Sequence, residues 1–399
     1  MFELNPDEIR EDFPVLKKGA VYFDNACMSL KPRQVLDKMA EYYTEYTACA
    51  GRSIHAWSQR TELEVAKSRD AVRRFINAKE QEIVFTRNTT EGINLVANSL
   101  GLKSGDEVIL SDKEHNSNLL PWLKLRKQGI KVIIVQSQAD NTFDLGAYEN
   151  SFTDRTRLVS VVHTSNLDGV TNPVREIAKI AHAHNALCLV DGAQSVPHKG
   201  TDVKNLDIDF LAFSGHKMLG PTGTGVFYGR KELLEKLDQF IVGGETVIDS
   251  TYDGYIPEPV PAKFEAGLQD YAGIIGLGEA CLYLKRIGLG RIEKHEARLN
   301  KLICERLSGE EKIKILGPKE AEEKGGIFSF VVEGMDIHHV SKMLDASRGI
   351  MTRSGTHCVH SWFNKHKMKG SIRASLYLYN TENEAILFCD ELRKIISII

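Results

Sequence analysis

The sequence predicts an α/β protein: a large domain with a mostly parallel sheet flanked by helices, and a smaller α+β domain. Three observations lead there. Short apolar runs rich in Val, Ile and Phe recur between residues 82 and 229. Most are continuous rather than alternating, the pattern of strands buried on both faces. Amphipathic segments separate several of them, and this βαβ rhythm is that of a parallel sheet covered by helices.

The expected strands are 82–85 (EIVF), 107–111 (EVILS), 131–135 (KVIIV), 157–163 (RLVSVVH), 187–191 (LCLVD), 209–214 (DFLAFS) and 225–229 (GVFYG). A helix is expected over 175–186. After Gly267 the texture changes. Helical patterns cover 272–288 and 291–307, a strand reads over 326–334, a helix lies near 338–347, and a last helix starts at Thr381. A chain of 399 residues exceeds what one hydrophobic core usually serves. The large domain is placed at residues 17–282. The small domain takes residues 1–16 and 283–399 and carries Cys358.

With 42% apolar and 26% charged residues, the composition is that of an ordinary globular protein. The net charge of -3 makes no case for nucleic acid or an anionic membrane as partner. No segment approaches ~18 consecutive apolar residues, so no membrane span is expected. The acidic start, MFELNPDEIREDFPVL, lacks the features of a signal peptide. Seven scattered cysteines, with no CxxC pair, argue for a reducing, cytoplasmic setting over a disulfide framework.

Open parallel sheets bind ligands beyond the carboxyl ends of their strands, and polar residues gather there. Thr89 and Thr90 stand at a helix start, as a plain cap or as phosphate donors. His115 follows the second strand, Asn166 the fourth, Asp191 and Gln194 the fifth, and Ser214, His216 and Lys217 the sixth. Each has an ordinary reading as a cap, a turn residue or a solvated side chain. Together they offer phosphate donors, an aromatic base, an amide, a carboxylate and an amine. That set suits pyridoxal phosphate, which needs a Schiff-base amine, a carboxylate at its ring nitrogen and phosphate donors. Asp191 lies 217 − 191 = 26 residues before Lys217, which puts the two on different strand ends.

SGHKMLGPTGTG resembles the lysine segment of class V aminotransferase-type enzymes, the fold-type I pyridoxal phosphate family, and VDGAQS resembles their pyridinium-binding segment. NTTEGINLVANS, EHNSNLLPW, FEAGLQDYAGIIGLGEA and IRASLYLYNTENE match further blocks, in order, over nearly the whole chain. RSGTHC and GRSIHAWS are most similar to the second-group cysteine desulfurases, which include selenocysteine lyase-like enzymes. Arg373 lies 373 − 358 = 15 residues beyond Cys358, the separation that group has.

The resemblance implies a role for each residue. Lys217 carries pyridoxal 5'-phosphate as a Schiff base and acts as general base. Asp191 pairs with the ring nitrogen, Gln194 bonds the ring oxygen, and His115 stacks on the ring and shuttles protons. Thr90, Ser214 and His216 hold the phosphate, with Thr89 adjacent. Asn166, also a cofactor residue, and Arg373 hold the substrate carboxylate, with Arg353 and His55 near the substrate. Cys358 accepts sulfur from L-cysteine or L-selenocysteine, and L-alanine leaves. A homodimer, a small sulfur-acceptor protein and a place in iron-sulfur cluster or other sulfur-cofactor synthesis are implied by the same resemblance. A thiolate is favoured by nearby cations, which Arg353, His357 and His360 supply if they face it.

The sequence departs from the family at four positions. Thr356 stands where a histidine is usual, Val359 replaces alanine, Asn116 replaces a second histidine, and Leu268 replaces a threonine that reaches the neighbouring subunit's phosphate. Cys27, in DNACMSLKP, is either a second thiol near the cofactor or a small buried side chain. GPTGTG precedes a strand, so it is no dinucleotide loop. His357, Cys358 and His360 have no fourth ligand at zinc spacing. The competing readings are another class V reaction, with Cys358 incidental, and a non-enzymatic scaffold.

Overall fold

The computed structural model describes residues 3–318 and 320–398; residues 1, 2, 319 and 399 of the expected small domain lie outside them. A seven-stranded sheet dominates. Its order is Ile83–Thr86, Gly225–Gly229, Phe210–Ser214, Leu187–Asp191, Thr156–Val162, Glu107–Ser111, Lys131–Val135. The last five strands in that order pair in parallel. Gly225–Gly229 runs antiparallel to both neighbours. The cause is chain length: residues 215–224 are too few for a crossover helix, which parallel return needs, so the chain turns back directly.

The continuous apolar runs behave as expected. Every residue of Glu107–Ser111, Phe210–Ser214 and Gly225–Gly229 is buried. One core, with Ile109, Val161, Val190 and Phe213, lies against helix Val174–Ala183. Another, with Val108, Leu158, Leu189 and Trp122, lies against helices Thr89–Ser99 and Asn116–Leu125. Leu4, Ile9, Phe13 and Leu16 join the first of these cores.

A second sheet is antiparallel, in the order Ile313–Ile315, Ile327–Val332, Ser371–Ser375, Arg353–Gly355. Leu299 and Ile303 from helix Leu289–Leu307, Leu344 from Ile337–Arg348 and Phe388 from Glu382–Ile396 pack with Phe328 and Phe330. Val21 and Phe23 complete this core. The last helix starts with a capping box between Thr381 and Glu384. Among the described residues, no helix is long and apolar enough to cross a membrane.

One expected detail is corrected. Thr89 and Thr90 are not the cap of their helix. Asn88 is, in extended backbone, with its Oδ1 accepting from the Glu91 N–H at 3.1 Å. The threonines therefore occupy the first helical turn, where backbone N–H groups have no intrahelical partner.

Candidate active site

A cavity of about 250 Å³ opens at the carboxyl ends of the parallel strands. The strand Phe210–Ser214 ends at its floor, and the short turn Gly215–Lys217 places Lys217 inside. Burial pulls the Lys217 pKa down, the Asp191 carboxylate opposes that shift, and the Arg373 guanidinium adds to it. An amine in this state is readily made neutral and nucleophilic. Ser29 fixes the turn: its N–H donates to the His216 carbonyl at 3.0 Å, and its Oγ accepts from Leu219 N–H at 2.8 Å.

Asp191 ends the neighbouring strand. Its Oδ1 accepts from Ala193 N–H at 2.9 Å. Burial pushes its pKa up, while the Ala193 N–H and Lys217 draw it back. Gln194 donates from Nε2 to the Ala26 carbonyl at 2.7 Å, leaving one N–H of that amide for a ligand.

At the other end of the cavity, hydroxyls converge. Thr89 N–H donates to Ser214 Oγ at 2.9 Å, and the two hydroxyls are 2.7 Å apart. Thr90 Oγ1 lies 2.7 Å from Ser117 Oγ. With the amides at the start of helix Thr89–Ser99, this is an anion-binding arrangement. His115 caps helix Asn116–Leu125, its Nδ1 accepting from the Ser117 N–H at 3.0 Å. Burial, then the cations Lys217, Arg373 and Arg353, pull its pKa down to about 3. The ring is neutral and carries its proton on Nε2.

Arg373 and Arg353 are cross-strand partners, so their side chains leave the same face of the sheet, and both line the cavity. Arg373 is buried, donating from Nη1 to the Asn166 carbonyl at 2.9 Å, with Nη2 3.4 Å from Asp24 Oδ1. Asn166 donates from Nδ2 to the His357 carbonyl at 2.7 Å. Among the described residues, Asn166 Oδ1, Arg373 Nε and His357 Nδ1 are buried here without a hydrogen-bond partner.

Cys358 enters the cavity from a strained loop. His357 and Cys358 both have left-handed backbone, φ +48° and +61°, a conformation uncommon for residues other than glycine. The loop is pinned on both sides. Asn116 N–H donates to the Cys358 carbonyl at 2.8 Å, and Val359 is buried against Leu167, Leu316, Trp362 and Phe363.

Twelve expected site residues line this one cavity: Thr89, Thr90, His115, Asn166, Asp191, Gln194, Ser214, His216, Lys217, Arg353, Cys358 and Arg373. The aminotransferase class-V family model matches residues 21–388. The chain belongs to the class-V aminotransferase family.

Within it, the chain is 41% identical to a probable cysteine desulfurase of Methanothermobacter thermautotrophicus, over 99% of each chain. The apo structure of a cysteine desulfurase from Thermococcus onnurineus superposes with a TM-score of 0.96 at 39% identity, covering all of both chains. An Escherichia coli cysteine desulfurase superposes with a TM-score of 0.93 at 32% identity, again over all of both chains.

One expected member of the class-V site lies elsewhere in this chain. His55 is exposed and caps helix Ala56–Phe75, accepting at Nδ1 from Ser58 N–H at 3.3 Å. A second expectation is corrected: His357 lends no positive charge to the thiol. Burial, with Arg373 and Arg353 beside it, pulls its pKa down to about 2. Leu268 is 69% exposed and lines a separate surface groove with Glu265 and Gln269. Asn116 Nδ2 lies 2.9 Å from His360 Nδ1, tying helix Asn116–Leu125 to the segment just after Cys358. Among the described residues, no group of three or more His, Cys, Asp or Glu is placed to hold a metal ion.

Sequence reasoning passed over Asn88, Ser117 and Asp24. Ser117 has a legible signal, standing in the first turn of a helix that His115 caps. Asp24 has none, because only the fold brings it to Arg373.

Proposed function

We infer that the chain is a pyridoxal phosphate-dependent cysteine desulfurase, taking sulfur from L-cysteine onto Cys358 and releasing L-alanine. The observation that carries this reading is one cavity holding a buried amine, a buried carboxylate and a half-buried thiol, Lys217, Asp191 and Cys358. The residues present fit the cofactor. Ser214, Thr89, Thr90 and Ser117 would supply phosphate donors, Asp191 would partner the ring nitrogen, and Gln194 would offer a spare N–H and Asn166 Oδ1 an unfilled acceptor. When bound, pyridoxal phosphate supplies an electron sink for charge developing at the substrate Cα.

The chain's own groups do the rest. Arg373 and Arg353 hold the carboxylate of L-cysteine, and the planar fork of Arg373 fixes its direction. Lys217, with its lowered pKa, takes the Cα proton. His115, neutral with Nε2 protonated, presents an aromatic face and a proton donor. Cys358 Sγ attacks the substrate sulfur as that sulfur leaves its carbon, so a persulfide forms and the amino acid is released as alanine.

The two-domain division at residues 17–282 against 1–16 and 283–399 belongs to the same proposal, as do a homodimer, a small acceptor protein for the persulfide sulfur, use in iron-sulfur cluster or other sulfur-cofactor synthesis and a cytoplasmic location. In the homodimer, His55 would serve its partner's site, since it does not line the cavity of its own chain. The test is incubation with L-cysteine, measuring alanine and protein-bound persulfide together. Wild type should give both, and Cys358→Ala should lose the persulfide with alanine formation down by ~10²–10⁴-fold. Alanine formation at the normal rate in Cys358→Ala would remove Cys358 from the mechanism.

A further inference from the structure

The cavity holds a second thiol. Cys27 lines it together with Cys358, and both are half-buried. Both lie within electrostatic range of the Lys217 amine, and Cys27 also lies within range of Arg373. The other cysteines do not line the cavity, and Cys188, Cys281 and Cys389 are enclosed, with burial pushing their thiol pKa values up.

Cys27 is held firmly. Its N–H donates to the Asp24 carbonyl at 3.1 Å. The preceding residue, Ala26, donates its N–H to Ser375 Oγ at 2.9 Å and accepts at its carbonyl from Gln194. Cys358 instead rides on a loop of left-handed residues. So a fixed thiol and a loop-borne thiol share one cavity, beside an unpartnered Arg373 Nε. Exchange needs the attacking sulfur to reach the sulfur attacked, and the shared cavity gives that access.

Resting on the desulfurase reading, we propose that Cys27 is a second persulfide site, which takes the outer sulfur from Cys358. The Cys27 thiolate attacks the terminal sulfur of the Cys358 persulfide. A new S–S bond forms at Cys27, the S–S bond at Cys358 breaks, and the Cys358 thiolate takes up the proton that Cys27 gave. One thiol and one persulfide give one persulfide and one thiol, so no oxidant or reductant is consumed. Cys358 is thereby free for another turnover, and each chain stores two sulfur atoms.

The test uses the full-length, pyridoxal phosphate-loaded protein, freed of reductant and mixed with two equivalents of L-cysteine per chain. The reaction is rapidly quenched with iodoacetamide. Peptide mass spectrometry then locates added sulfur, and alanine is counted in the same samples. Wild type should carry one added sulfur on Cys27 as well as on Cys358. Cys27→Ala should carry it on Cys358 alone, halving both bound sulfur and the alanine burst. Cys358→Ala should leave Cys27 unmodified. Sulfur on Cys358 alone in wild type overturns this proposal while sparing the desulfurase reading. So does a longer sulfur chain on Cys358, or a Cys27–Cys358 disulfide with free sulfide. Sulfur on Cys27 in Cys358→Ala overturns the transfer step, and no sulfur on either cysteine overturns both readings.

Discussion

Glu114 stands one residue before His115 with its carboxyl buried among donors. Val162 N–H reaches Oε1 at 3.0 Å and Asn118 Nδ2 reaches Oε2 at 2.6 Å. Burial still dominates these hydrogen bonds and pushes its pKa up to about 7, with Asp191 adding in the same direction. A raised carboxyl pKa means the folded protein binds a proton that the unfolded chain has already lost. The stability it brings is full below pH 4.5 and is lost as pH rises through about 7. That shift corresponds to about 3 kcal/mol. Urea unfolding of wild type and Glu114→Gln across this window should show the difference drifting toward the variant by about that amount. Parallel curves would mean that Glu114 stays ionised when buried. None of this is legible in the sequence, where Glu114 reads as a polar residue after a strand. Its carboxyl meets Val162 from another strand and Asn118 from the next helix turn, contacts that only the fold makes. Asp191 and Lys217 are legible because strand ends are where parallel sheets place polar groups.

The loop from Gly355 to Val359 shows what an element adds to its residues. Left-handed backbone at two successive non-glycine residues costs free energy, of order 1–3 kcal/mol each, and persists only when neighbours hold it. Here the hold comes from Val359, 1% exposed in the Leu167–Trp362–Phe363 cluster. Its side chain fills an apolar pocket. Val359→Ala removes two carbons and should cost about 2 kcal/mol. It should also slow persulfide formation on Cys358 by loosening the loop, as read by rapid quench. Lost stability with an unchanged rate would show that the anchor does not position the thiol. The strands were legible at this scale because continuous apolar runs of that length suit little else. The antiparallel direction of Gly225–Gly229 follows from the short turn before it, which the sequence reading did not use. Asn88 was missed as a cap because three candidate capping residues stand in a row.

Among the apolar side chains that the described residues leave exposed, several fall on residues 54–57, 247–257 and 268. Ile54 and Trp57 are 94% and 57% exposed, Ile248, Tyr252 and Ile256 lie outside along 247–257, and Leu268 follows. An Arg52–Glu245 ion pair ties the two segments together. Scattered single apolar residues need no explanation, but a joined group of them marks an interaction surface. His55 sits in the same stretch as Ile54 and Trp57, so the proposed homodimer would cover this face and bring His55 to the partner's site. None of the nineteen residues lining the cavity comes from this face, and the proposed dimer would reconcile that with the substrate role that the resemblance implies for His55. Sedimentation equilibrium should give twice the chain mass of 44.6 kDa. Tyr252→Glu combined with Ile256→Glu puts charge where the proposed dimer would bury apolar surface, and should give the single-chain mass. The same variant should keep the far-ultraviolet circular dichroism of wild type, since both side chains are exposed and belong to none of the cores. Wild type sedimenting at 44.6 kDa at micromolar concentration would leave the patch without its second copy and His55 without a site to serve.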